Sequence, residues 1–170
     1  MPVPKGACSL GQYRPPEVLS IVGDIARTAA HHTVGSPPQM DSWMLAGKLV
    51  HVVDDDFEFL QGVRRLLVAY GLRVETFSSP EAYQREADPY EAVCLILDIH
   101  LGRVSGIEFL GQLSQSGVST PVVFMSADDR DQTRRAALDA GCTAFLQKPF
   151  SGTMLMEAVQ QAADRASTHH

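Results

Sequence analysis

Cysteine, tryptophan, basic charge and long apolar runs are all scarce in this 170-residue chain. Each scarcity excludes something. The three cysteines, Cys8, Cys94 and Cys142, stand far apart and make neither a disulfide framework nor a zinc motif. No apolar stretch approaches about 18 residues, so no membrane span is expected. The N-terminus lacks a charged start leading into an apolar core, so no secretory signal is expected and the cytoplasm is the expected compartment. Basic residues number 14 against 20 acidic, a formal charge of −6. A direct nucleic-acid binder usually carries a basic surplus, so none is expected here. What the chain does have is 45% hydrophobic residues, enough for a core and too many for a wholly disordered chain.

Composition breaks near residue 48. Six of the ten prolines (Pro2, Pro4, Pro15, Pro16, Pro37 and Pro38) lie before it. Residues 1–48 carry a net charge of +1 (four basic, three acidic), and residues 49–170 carry −7 (10 basic, 17 acidic). Within the extension, Val18, Ile21, Val22, Ile25 and Ala29 recur at helical spacing, so an amphipathic helix is expected over 17–30, with Ser36-Pro37-Pro38-Gln39 as a linker. Two other readings of the same stretch compete: a floppy leader, or Met40 as the true start with residues 1–39 a misassigned leader.

Beyond residue 48 strand and helix alternate. Strands are expected at 49–53, 73–77, 93–97, 121–125 and 144–147. Helices are expected between and after them. The first carries Phe57, Leu60, Val63, Leu67 and Tyr70 and stops at Gly71. Others fall at 80–85, 107–113 and 131–140, and the last around Leu155, Ala158, Val159 and Ala162. Five strand–helix repeats imply an α/β fold, a doubly wound parallel sheet covered on both faces.

Ligands of such sheets sit outside the carboxyl ends of the strands, and the polar residues fall there. Asp54, Asp55 and Asp56 follow the first strand, Asp98 the third, Ser126 the fourth and Lys148-Pro149 the fifth. Taken singly, each is ordinary: Asp56 suits a helix cap, and Ser after a strand suits a turn. Together they bring carboxylates, a hydroxyl and an ammonium to one edge. Converging carboxylates repel one another unless a cation intervenes, and a hard, oxygen-loving ion such as Mg²⁺ suits them. A carboxylate nucleophile beside that ion, a lysine and a hydroxyl is suited to accepting a phosphoryl group.

With those residues in view, the chain resembles the receiver domain of bacterial two-component response regulators, most similar to the nitrogen-fixation regulator type. The resemblance rests on Val52-Val-Asp-Asp-Asp56, Leu97-Asp98, Ser105-Gly106, Phe124-Met-Ser-Ala127, Ala140-Gly141 and Lys148-Pro-Phe150, and spans residues 49–165, leaving 166–170 as a tail. It implies a (βα)5 fold with flavodoxin-like strand order 2-1-3-4-5. It implies phosphorylation of Asp98 by a sensor histidine kinase or a phosphotransfer protein. It implies Mg²⁺ held by Asp54, Asp55, Asp98 and the backbone carbonyl of His100. Lys148, Ser126 and Ala127 would contact the phosphoryl group, Ser126 and Phe145 would form the switch pair, and Pro149 would follow a cis peptide bond. A homodimer linked to phosphorylation is an expected consequence, with Arg134, Arg135 and Asp139 available for its contacts.

Some residues depart from the family's habits. Gly102 stands where many receivers have proline, and Phe145 has no hydroxyl. His100 and Asp128, two residues after Asp98 and Ser126, occupy positions that tune phosphate lifetime in the family. His51 is read as a strand-interior residue, Cys94 and Cys142 as packing residues, and His31-His32 and His169-His170 as too isolated for a metal site. The functional reading is a single-domain response regulator acting on a downstream protein target. Its alternatives are the receiver of a longer transcriptional regulator and an aspartate-nucleophile phosphatase. A flavin-binding electron carrier of similar topology is disfavoured, because three aspartates after the first strand would repel its phosphate.

Overall fold

Strand β1 (Leu49–Val53) is buried along its whole length and sits near the middle of a parallel sheet. The computed structural model describes residues 45–168. The helix expected at 17–30, the linker, Met40, Cys8 and the four histidines near the termini lie outside the described residues. Strands β2 (Arg73–Phe77), β3 (Ala92–Asp98), β6 (Val122–Ser126) and β7 (Ala144–Gln147) join β1 in the order β2-β1-β3-β6-β7, all parallel. Ranked by chain position, the five run 2-1-3-4-5 as expected. The sequence pattern did not announce the short antiparallel hairpin of β4 (His100–Leu101) and β5 (Val104–Ser105), which turns at Gly102 with φ +73.

Strand side chains alternate between the two faces of a sheet, and the core divides accordingly. Val50, Val52, Cys94, Ile96, Val123, Met125 and Leu146 pack under α1 (Phe57–Ala69) and α5 (Gly152–Ser167). Val53, Leu95, Leu97, Val122 and Phe124 pack under α2 (Pro80–Glu86), α3 (Gly106–Gln115) and α4 (Asp131–Asp139). Leu45, ahead of the composition break, is only 2% exposed and belongs to the first cluster. Lys48 N–H donates to Leu45 O at 3.0 Å, closing a turn over Ala46-Gly47 that leads into β1.

The helix ends follow local chemistry. Asp56, Ser79, Ser105 and Ser151 each accept the backbone N–H of the third residue of α1, α2, α3 and α5. Ser105 and Glu108 do so reciprocally, as a capping box. One expectation fails within α1. Phe57, placed on the apolar stripe by its spacing to Leu60, is 68% exposed. It precedes the first full turn, and the buried stripe is Leu60, Val63 and Leu67, with Phe59 and Leu66 beside it. Among the described residues, no helix is long and apolar enough to cross a membrane.

Candidate functional site

The alternation that divides the core also aims the polar residues. Asp54 continues the parity of Val50 and Val52, Asp98 that of Cys94 and Ile96, and Lys148 that of Ala144 and Leu146. All three therefore meet above the α1/α5 side of the sheet. Lys148 Nζ lies 2.5 Å from Asp54 Oδ2 and 3.0 Å from Asp98 Oδ1. The other oxygens are held by local backbone: Asp56 N–H donates to Asp54 Oδ1 at 2.9 Å and His100 N–H to Asp98 Oδ2 at 2.9 Å. Asp54 and Asp98 are buried, at 1% and 5% exposure, whereas Asp55 is exposed at the rim. Burial, aided by the neighbouring Asp98 charge, pushes the Asp54 carboxyl above its ordinary range despite its bonds to Lys148 and Asp56.

One carboxylate oxygen from each of Asp54, Asp55 and Asp98 lies within 4.8 Å of the others. Asp56, the third of the acidic run, instead caps α1, its carboxylate accepting Phe59 N–H at 3.0 Å. The donor set is all oxygen, as a hard divalent cation requires. Asp54, Asp55 and Asp98 are close enough together to be the residues that would hold one such ion.

Ser126 belongs to the opposite parity, and its contacts differ accordingly. Its hydroxyl accepts Asp128 N–H at 3.0 Å and meets His100 Nδ1 at 3.5 Å. Ala127 beside it is exposed. Phe145, in register with Phe124, is half-buried against the α2–α4 side of the core. The Lys148–Pro149 peptide is cis, and Lys148 N–H donates to Ser126 O at 2.8 Å, which ties the ends of β6 and β7 together. Gly106 explains the Ser-Gly pair in the sequence. Its N–H donates to Ile99 O at 2.9 Å, and a Cβ there would overlap the carbonyl oxygen of Asp98.

The response regulator receiver domain family matches residues 50–160. The chain belongs to that family. Among curated relatives, this receiver is 32% identical over 114 residues to the response regulator protein TmoT of Ectopseudomonas mendocina, covering 67% of this chain and 52% of TmoT. It is 29% identical over 118 residues to the transcriptional regulatory protein FixJ of Azorhizobium caulinodans, covering 69% of this chain and 56% of FixJ. The structure of the response regulator StyR is similar at a TM-score of 0.66 with 36% identity, over 73% of this chain and 63% of StyR. The chain thus spans about half the length of the curated relatives it matches. The likeness to FixJ agrees with the nitrogen-fixation-regulator subtype.

The receiver domain brings Asp54, Asp55, Asp98 and Lys148 together and sets Ser126 and Phe145 on the neighbouring strands. One residue of the site was not singled out from the sequence. Phe59 places its ring 3.9 Å, centroid to Nζ, from the Lys148 ammonium. Its only signal was its place three residues after the capping Asp56.

Proposed function

We propose that Asp98 accepts a phosphoryl group from a phosphohistidine of a sensor histidine kinase or a phosphotransfer protein, and that the domain signals by changing conformation. The observation that carries this reading is the single ammonium of Lys148 shared by two buried carboxylates at the strand ends, 2.5 Å from Asp54 and 3.0 Å from Asp98. In the transfer, an Asp98 oxygen forms a bond to phosphorus while the phosphorus–nitrogen bond breaks and the imidazole leaves with the electron pair. Lys148 then turns from the carboxylate to the transferred oxygens, whose charge it balances. Asp54, Asp55, Asp98 and the His100 carbonyl would hold Mg²⁺. When bound, that ion supplies further positive charge to the phosphoryl oxygens.

Ser126 and Ala127 N–H are assigned to the phosphoryl group, and Ser126 with Phe145 to the switch. Ser126 would leave Asp128 N–H and His100 for the new oxygens, and Phe145 would turn inward, a shift between two pre-existing states. The α4–β7–α5 face, with Arg134, Arg135 and Asp139, would then meet a second copy or a protein target. The compartment assigned is the cytoplasm, and the role is signalling by contact rather than turnover of a substrate. The test is labelling with acetyl phosphate and Mg²⁺, or with a phosphorylated kinase. The wild type should take label and Asp98→Asn should not. Equal labelling of both would reject Asp98 as acceptor.

A further inference from the structure

A lysine ammonium has three donors, and carboxylates of Asp54 and Asp98 occupy two directions around Lys148 Nζ. An aromatic ring occupies another: Nζ lies 3.9 Å from the centroid of Phe59. We propose that Phe59 is a positioning residue for phosphoryl transfer, its ring face holding the Lys148 ammonium against Asp54 and Asp98 and covering it from water. This rests on the reading of Asp98 as acceptor.

Three features fix the ring. Its backbone N–H is bound by the Asp56 carboxylate at 3.0 Å, which sets where α1 begins. The side chain is partly buried against the α1/α5 core. The ring also meets Phe150 in a T-shaped contact at 5.9 Å and 90°. Phe150 is buried and lies two residues beyond Lys148, so one ring touches both the ammonium and the anchor of the segment that carries it. The acidic run is therefore divided in labour. Asp54 and Asp55 face the site, whereas Asp56 places the ring.

The chemistry favours an aromatic here over an aliphatic residue. A π face attracts a cation through its quadrupole. A leucine would exclude water without attracting the charge. Water in the same place would hydrogen-bond the ammonium, letting it swing away from Asp98, and would stand beside an acyl phosphate that water destroys.

The test compares wild type, Phe59→Leu and Phe59→Tyr, each first shown to fold by thermal unfolding. Initial rates of phosphorylation by acetyl phosphate with Mg²⁺ are measured, with Asp98→Asn as blank. The proton shift of the Lys148 ε-methylene is read by NMR, because a ring face moves it upfield. Phe59→Leu should phosphorylate about three- to tenfold more slowly, the range a partly exposed cation–π contact implies, and its Lys148 signal should lose the upfield shift. Phe59→Tyr should retain both. Leu as fast as wild type, Tyr as slow as Leu, or a Lys148 signal unmoved by Phe59→Leu would overturn the proposal. A wild type that takes no label while keeping the upfield shift would defeat the acceptor reading itself, and the positioning role with it.

Discussion

Lys148→Met keeps a side chain of similar length beside Phe59 and deletes the charge that Asp54 and Asp98 share. The two carboxylates are 1% and 5% exposed, so water can replace little of what is lost. Breaking a buried pair by removing one partner costs about 3–5 kcal/mol. The Lys148 side chain is 17% exposed, which lowers the figure to about 2–4 kcal/mol. A second estimate agrees. Two carboxylate oxygens no more than 4.8 Å apart repel by at least about 3.5 kcal/mol at an effective dielectric of about 20. For a domain of this size the melting temperature should fall by roughly 8–15 °C in chelator at pH 7.5. Magnesium should return much of this, since a ligand at about a hundred times its Kd adds about 2.7 kcal/mol. Lacking a competing ammonium, the variant should gain more than wild type at the same magnesium concentration. Thermal unfolding followed by circular dichroism, with and without Mg²⁺, reads both numbers. A metal-free variant as stable as wild type would refute the electrostatic account of the site.

Gly106→Ala should destabilise the domain by about 1–3 kcal/mol and slow Asp98 phosphorylation, because the new methyl meets the backbone carbonyl of Asp98 rather than a side chain that can turn away. Asp56→Ala should cost about 1 kcal/mol in denaturant unfolding through loss of the α1 cap. His51 is fully buried, with Nδ1 3.4 Å from Tyr83 Oη and Nε2 3.5 Å from the Glu75 carboxylate, and burial holds its pKa below 6.5. The unfolded chain therefore binds the proton first. Stability is full above pH 6.5 and declines as pH falls below it, by at most about 1.4 kcal/mol per pH unit from this group. His51→Leu should flatten that decline between pH 7 and 5, and an unchanged slope would contradict it.

The sheet was legible because burial on both faces demands near-continuous apolar strands, and Leu49–Val53 and Ala92–Asp98 show that pattern plainly. The carboxylates and the lysine were legible because they sit where those strands end. Contacts that depend on side-chain direction were not. Phe57 and Phe59 are both aromatic and two residues apart, yet one is exposed and the other lies on an ammonium, a difference set by where Asp56 begins the helix. The His100–Ser105 hairpin carries no periodicity in two-residue strands, so nothing in the sequence pattern announced it. Ser126 reads as a site residue by position, but its hydroxyl partners, Asp128 N–H and His100, follow from a strand parity that only the assembled sheet reveals.

Asp98, rather than Asp54 or Asp55, should carry the phosphoryl group. Wild-type protein incubated with acetyl phosphate and Mg²⁺ can be treated with borohydride, which reduces an acyl phosphate to the alcohol, and the modified residue located by peptide mass spectrometry. The account predicts homoserine at position 98 alone, dependent on both acetyl phosphate and Mg²⁺. Homoserine at 54 or 55, or none at any aspartate, would contradict it.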